Sequence, residues 1–220
     1  MAQPYNIPLL SQLSALHDGP DACLLAVADS AVANIATQLS FKSTVVLHHA
    51  GGVPLQALQP NMNIGVAWPV YSILKYDLPV HRQFPCVWEA NTDRARSVAL
   101  QVCQAMSGIQ YEADSEQRKW LHMTAVISNN FTNYLLGMCA TICKEQQLPF
   151  SLLQPILQQT IDRVNTYDPA TVQTGPARRG DTATIDHHMA LLQHNPYWQA
   201  VYAALSAAIK NTDSTNGDKA

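Results

Sequence analysis

The chain carries little charge: Asp, Glu, Lys and Arg together make up 13% of its 220 residues, and the 13 basic residues form no run. At a formal net charge of -3 it lacks the concentrated positive face that a phosphate backbone demands, so nucleic acid is excluded as a partner. No apolar stretch approaches the roughly 20 residues of a bilayer span, which leaves no membrane role. The start, MAQPYNIPLL, lacks the basic and then apolar pattern of a secretory leader. The expectation is a soluble, cytoplasmic protein. Cysteine is sparse as well. Cys23, Cys86, Cys103, Cys139 and Cys143 are odd in number and scattered through apolar segments, which fits reduced, buried thiols and not a disulfide framework. Cys139 and Cys143 share a helical face, yet no second Cys or His pair stands near them, so no metal site is expected.

What the chain does have is apolar residues, 47% of the total, and a length that lets roughly 70% of the unfolded surface be buried, enough for one large domain or two small ones. The apolar run ACLLAV (22–27), followed by SAVANIATQL with helical spacing of Val32, Ile35, Ala36 and Leu39, reads as strand, turn and helix. STVVLHHAGG is a β-branched run closed by two glycines, and a helix-like PLQALQP follows it. NIGVAWPV and PCVWEA read as two further strands, and DRARSVALQVCQAM as a helix. Strands alternating with helices imply a parallel sheet covered on both faces. After Tyr111 the pattern changes to long helical stretches at 114–146, 150–166 and 181–210. The expected organisation is therefore a sheet domain over 1–111, a helical domain over 112–210 and a frayed polar tail over 211–220.

Four segments are able to carry chemistry. At the end of VVLHHAGG, His48, His49, Gly51 and Gly52 stand where ligands bind in open parallel sheets, beyond the carboxyl ends of the strands. The glycines allow close approach of backbone to a ligand and a histidine can shuttle a proton; the same string also suits an ordinary strand-end turn with hydrogen-bonded histidines. Asp29, in AVADSAV, has the same placement, and helix capping is favoured over ligand contact there. On the helix from Ser115, the residues Arg118, His122, Ala125, Asn129 and Asn133 form one stripe. Its apolar surroundings favour a cleft or interface over plain solvent exposure. Finally, TGPARRGDTATIDHH (174–188) combines a Gly175-Pro176 turn, the guanidinium forks of Arg178 and Arg179, and Asp181 placed to cap a helix from Thr182. An anion can dock there, or the segment is a structured loop. Asp186, His187 and His188 point too far apart on a helix to share an ion.

In order and content, the strings ACLLAVADSAVANIA, VVLHHAGGVPLQAL, GVAWPV, RKWLHMTAVISNNFTNYLL, LLQPILQQTIDRV and QTGPARRGDTATIDHHMALL resemble the Rossmann-like NAD(P)-dependent oxidoreductases of the 6-phosphogluconate dehydrogenase-like superfamily that end in a helical domain of unknown function. The resemblance covers about residues 20–205. It implies an α/β plus all-α protein: an incomplete Rossmann-like parallel-sheet domain, then a helical 6-phosphogluconate dehydrogenase C-terminal-like domain that makes a homodimer. It also implies an NADP or NAD cofactor, with Ala28 and Asp29 near the dinucleotide and His48, Ala50 and Gly51 near its nicotinamide end. His122, Asn130, Thr174, Gly175, Arg179 and Asp181 would line the helical side of the cleft. The stripe favours Asn129 where the resemblance favours Asn130. His122 or His48 would donate a proton, assisted by Asn130, while Arg179 holds an anion of a small carbonyl or imine substrate. Two departures stand out. No GxGxxG string occurs, so the N-terminal glycine-rich portion is missing, and Val126 occupies the position of the catalytic lysine of hydroxyacid dehydrogenases. A non-catalytic small-anion-binding or dimerisation protein that keeps the fold is the alternative expectation.

Overall fold

The computed structural model describes residues 10–74 and 83–216. The chain divides into two compact units, Met1–Thr132 and Asn133–Ala220. The first holds a five-stranded sheet: β1 (Ala22–Leu25), β2 (Val45–His48), β3 (Asn63–Pro69), β4 (Pro85–Ala90) and β5 (Ile109–Glu112), in that spatial order. β1, β2 and β3 pair in parallel, as do β4 and β5, whereas β3 and β4 run antiparallel. The layered sheet followed by helices matches the sequence reading, but the expected uniformly parallel sheet is corrected at that one ladder. A parallel pair needs a crossover, usually a helix. β4 and β5 have one in α2 (Asp93–Met106), while no helix separates β3 from β4 among the described residues.

Alternation along the strands feeds two cores. Val46, Val66, Trp68 and Val87 point to one face and pack with Leu25 and with Val32 and Ala36 of α1 (Val32–Leu39). Val45, Leu47, Ala67, Cys86 and Trp88 point to the other and meet Ala95, Ala99 and Cys103 of α2. Such two-sided burial explains the continuous apolar runs of β2 and β3. Of the five cysteines, all free, only Cys86 and Cys103 are fully buried, which narrows the expectation of buried thiols. PLQALQP forms only a single 3-10 turn, Leu55–Leu58. β5 escaped the sequence reading because its four residues IQYE sit at the sheet edge and stay largely exposed.

A capping box starts α3 (Ser115–Ala125): the Asp114 carboxylate accepts from Gln117 N–H, and the Gln117 side chain accepts from Asp114 N–H. The helix then passes through a π turn, Val126–Phe131, into α4 (Thr132–Glu145). In the second unit, α5 (Gln154–Thr166), α6 (Pro176–Arg179), α7 (Thr182–Leu191) and α8 (Pro196–Asn216) follow. The helical stretch expected over 181–210 holds two helices, parted between Leu191 and Pro196, where Pro196 cannot continue a preceding helix. α8 carries the backbone helix through 211–216; residues 217–220, the rest of the expected tail, lie outside the described residues. α6 packs against α7 and α8, but α4, α5 and α7 have no fully buried residue. Among the described residues no helix is long and apolar enough to cross a membrane.

Candidate functional site

The site in the first unit is built on the turn that follows β2. β2 ends at His48, which is level with Val66 of β3, and Val66 is level with Glu89 of β4. His48 and Glu89 therefore rise from the same sheet face. Over that face lies Arg118 of α3, fully buried. Its Nη2 pairs with Glu89 Oε2 at 2.6 Å, and its Nε donates to the same oxygen at 3.1 Å. Its Nη1 reaches three carbonyl oxygens of the turn, those of Ala50 at 3.4 Å, Gly51 at 3.1 Å and Val53 at 3.0 Å. Ser115 Oγ donates to Glu89 Oε2 at 2.8 Å and accepts from Leu55 N–H at 3.0 Å and Arg118 Nη2 at 3.1 Å. A charge can be buried at this depth only when it is paired and hydrogen-bonded on every side, and here it is.

The network fixes a turn whose outer side meets His122. A Cβ on Gly52 would stand 3.4 Å from His122 Nδ1, and the His122 ring lies 5.8 Å, centroid to centroid, from that of Trp68. Trp68 lies under Gly51 so closely that a Cβ there would fall 2.4 Å from the indole. His122 is partly buried. It thus sits on an open glycine face with an aromatic ring beside it, where a proton donor can reach a small ligand.

His48 takes a different place from the one expected. Its imidazole is fully buried, so it cannot hand a proton to a ligand, and its candidacy as a catalytic donor is corrected to that of a wall beneath the turn. Nδ1 accepts from Ala50 N–H at 3.2 Å, which puts the proton of the neutral ring on Nε2. Burial, and then the Arg118 charge, push its pKa down to about 4, against a smaller opposing pull from the Pro54 carbonyl. Because the folded value lies below the ordinary 6.5, the unfolded chain takes up the proton first. Stability should fall as pH drops from 6.5 to about 4, by at most about 1.4 kcal/mol per pH unit from this residue. Urea unfolding at stepped pH checks this. His48→Gln should flatten that part of the profile, and an unchanged slope refutes the assignment.

His49 Nδ1 donates to Ala67 O at 2.6 Å, tying the turn to β3. Ala50 is buried, while Ala28 and Asp29 are exposed beyond the end of β1. Asp29 opens a 3-10 turn and makes no capping bond, so the capping reading is corrected: the turn starts from Ala28 backbone, leaving the carboxylate in solvent. Asn129 and Asn130 are exposed within the π turn. A π turn closes i to i+5, adding one residue per turn, so Asn130 stands to Ala125 as Asn129 would in an unbroken α-helix. Geometry therefore extends the Arg118–His122 stripe through Asn130.

In the second unit Gly175 has φ 106°, the region that favours glycine, and precedes α6. Asp181 caps α7 as expected, accepting from Thr184 N–H at 3.0 Å and Thr184 Oγ1 at 2.7 Å. Those bonds to Thr184, with weaker help from Arg179, hold its carboxyl below the usual range. Arg179 lies 4.0 Å from Asp181 and is largely exposed, as is Thr174. Among the described residues no three His, Cys, Asp or Glu side chains cluster to hold a metal ion. Trp68, Glu89 and Ser115 were missed by sequence reasoning. An acid closing the apolar string PCVWEA was the one local signal, and its partner lies 29 residues away.

Residues 84–209 match the family described as a domain of unknown function, DUF2520. The chain belongs to the DUF2520 family. The match begins ahead of β4, so the DUF2520 region includes β4, α2 and β5 as well as the helices. No curated protein matches the chain. Among solved structures, a protein from Bacteroides fragilis described as a candidate NADP oxidoreductase is 29% identical; the similarity covers 92% of this DUF2520 chain and 80% of that one, with a TM-score of 0.83. An imine reductase from Myxococcus stipitatus in complex with NADP+ is 12% identical over 88% of this chain and 74% of its own, with a TM-score of 0.56. A pyrroline carboxylate reductase from Plasmodium falciparum with NADP bound is 12% identical over 91% and 81%, with a TM-score of 0.54. This DUF2520 protein thus has the fold of Rossmann-like NADP oxidoreductases.

Proposed function

We propose that the protein is an NAD(P)-dependent oxidoreductase acting on a small carbonyl or imine compound. The observation that carries the reading is the seat of His122 against Gly52 at the carboxyl edge of β2, in a chain 29% identical to the Bacteroides protein over nearly its whole length. The glycine turn suits the nicotinamide end of a cofactor at Gly52, which is exposed and offers no Cβ to fend off a flat ring, whereas the Cβ side of Gly51 is closed by Trp68. Ala28, Asp29, Ala50 and Gly51 would hold it. When bound, it supplies a hydride to the substrate carbon or takes one from it. His122 delivers the matching proton to the oxygen or nitrogen and Asn130 orients that atom; in the second unit, taken by itself, Thr174, Gly175, Arg179 and Asp181 offer an anion-docking segment.

The helical unit supports a homodimer. Ile156, Ile161 and Val164 of α5 are 60%, 55% and 43% exposed, and a face of that kind on a helix without buried residues calls for a partner surface. Sedimentation should give twice the monomer mass; a monomer at micromolar concentration overturns this part.

Calorimetric titration with NADP+ and NADPH tests the cofactor. Binding with micromolar to millimolar affinity is expected, and none at millimolar ligand removes the oxidoreductase reading in favour of a small-anion-binding or dimerisation protein. With a panel of cyclic imines and small ketones, His122→Asn should lower turnover about 10²–10⁴-fold while leaving NADPH binding in place. Equal turnover by the variant takes His122 out of the role of proton donor.

A further inference from the structure

His122 is not held in place by any bond of its own. Among the described residues its ring nitrogens find no hydrogen-bond partner, and its ring contact with Trp68 is a tilted one, 5.8 Å between centroids. The helix that carries it therefore decides where the imidazole stands. That helix is pinned by two earlier residues of the same face. Ser115, Arg118 and His122 follow one another at steps of three and four, so their side chains lie one above another along α3. The segment after β2 lies along this face. Ser115 Oγ accepts from Leu55 N–H at 3.0 Å, Arg118 Nη1 donates to Val53 O at 3.0 Å and to Gly51 O at 3.1 Å, and the open Cβ side of Gly52 meets His122 Nδ1 at 3.4 Å. The first two contacts are bonded; the third is free. Glu89 closes the arrangement from β4, accepting from Ser115 Oγ at 2.8 Å and from Arg118 Nη2 at 2.6 Å.

We propose that Arg118 is the positioning residue for His122: its guanidinium, locked between Glu89 and the carbonyls of the turn, fixes the register of α3 so that the imidazole faces the exposed Gly52, with Ser115 as the second pin. The proposal rests on the reading of His122 as proton donor and adds the residue that aims it. A helix pinned at two points one turn apart can neither slide nor rotate without breaking a bond at each pin. A slip of one residue would carry His122 about 1.5 Å along the axis and roughly 100° around it, off the glycine. A general acid works only within hydrogen-bond reach of the atom it protonates. This accounts for a fully buried cation one helical turn from a half-buried histidine.

Histidine labelled with ¹³C and ¹⁵N in the full chain makes the contact visible. The His122 ring protons, recognised by their loss in His122→Asn, should show a nuclear Overhauser contact to the Gly52 α protons. Arg118→Lys, which keeps the charge but not the fork, should lose that contact while the amide resonances of the sheet persist. With the panel of cyclic imines and small ketones, the same variant should lower kcat about 10²-fold, the scale of a displacement near 1 Å, and leave KM for NADPH unchanged. A merely structural role would lower stability and move neither the contact nor kcat. Should Arg118→Lys fail to fold, Ser115→Ala, which removes the second pin, should weaken the same contact and the same rate. A Gly52 contact at full strength in the folded variant overturns the positioning role and leaves the oxidoreductase reading intact. A lost contact with unchanged turnover overturns it as well. If the wild type neither binds NADPH nor turns over any compound of the panel, the oxidoreductase reading falls, while the Gly52 contact still decides whether Arg118 sets the place of His122.

Discussion

Arg118→Met should cost the protein about 3–5 kcal/mol of unfolding free energy, the range for removing one partner of a buried ion pair. The substitution keeps most of the volume, so the loss is electrostatic. Glu89, only 15% exposed, keeps its charge with Ser115 as its remaining close donor. The carbonyls of Ala50, Gly51 and Val53 lose their shared donor, and an unpaired buried acceptor carries its own desolvation penalty. A double variant, Arg118→Met with Glu89→Leu, separates the two effects. Removing both charges should recover part of the loss, since apolar replacement of a whole buried pair is often neutral, yet recovery should stop short because the carbonyls stay unpaired. Urea denaturation of the wild type, both single variants and the double variant closes the cycle. A single variant within about 1 kcal/mol of the wild type refutes the account; full recovery in the double variant assigns the whole cost to Glu89 and none to the turn.

This network marks the limit of what the sequence makes legible. The apolar runs of β1, β2 and β3 announce themselves because strands buried on both faces have no polar alternation to confuse the reading. The Gly51-Gly52 turn and the His122 stripe are legible because each is encoded within a few residues. The antiparallel turn of β4 is not, since PCVWEA reads alike in either direction and only the pairing with β3 reveals it. The burial of His48 is equally hidden. A histidine at a strand end reads as a ligand contact until Arg118, 70 positions later in the chain, is known to close over the turn beside it. The π turn has no sequence signature at this length, so the choice between Asn129 and Asn130 needs the backbone. What the local pattern cannot encode is long-range pairing, and that is what fixes an ordinary HHAGG string by tying its carbonyls to Arg118.

The two glycines of that string should respond unequally to the same substitution. A Cβ on Gly51 would lie 2.4, 2.6 and 2.7 Å from three carbons of the Trp68 indole. Trp68 is 8% exposed and belongs to the packed face shared with Val46, Val66 and Val87, so the ring has no free side toward which to move. Gly51→Ala should therefore cost at least the about 1–3 kcal/mol typical of overpacking, and it should pull the Gly51 carbonyl off Arg118 as the turn is pushed outward. A Cβ on Gly52 meets His122 Nδ1 at 3.4 Å, a contact that a small shift of the imidazole relieves. Gly52→Ala should stay within about 0.5 kcal/mol of the wild type, as surface substitutions do, while crowding the proton donor and lowering turnover. The cause is separable by rescue: combining Gly51→Ala with Trp68→Leu should cost less than the sum of the two single changes, because the clash disappears with the ring. Thermal and urea unfolding of the four proteins decide it. Strict additivity would mean that the turn and the indole do not touch in solution.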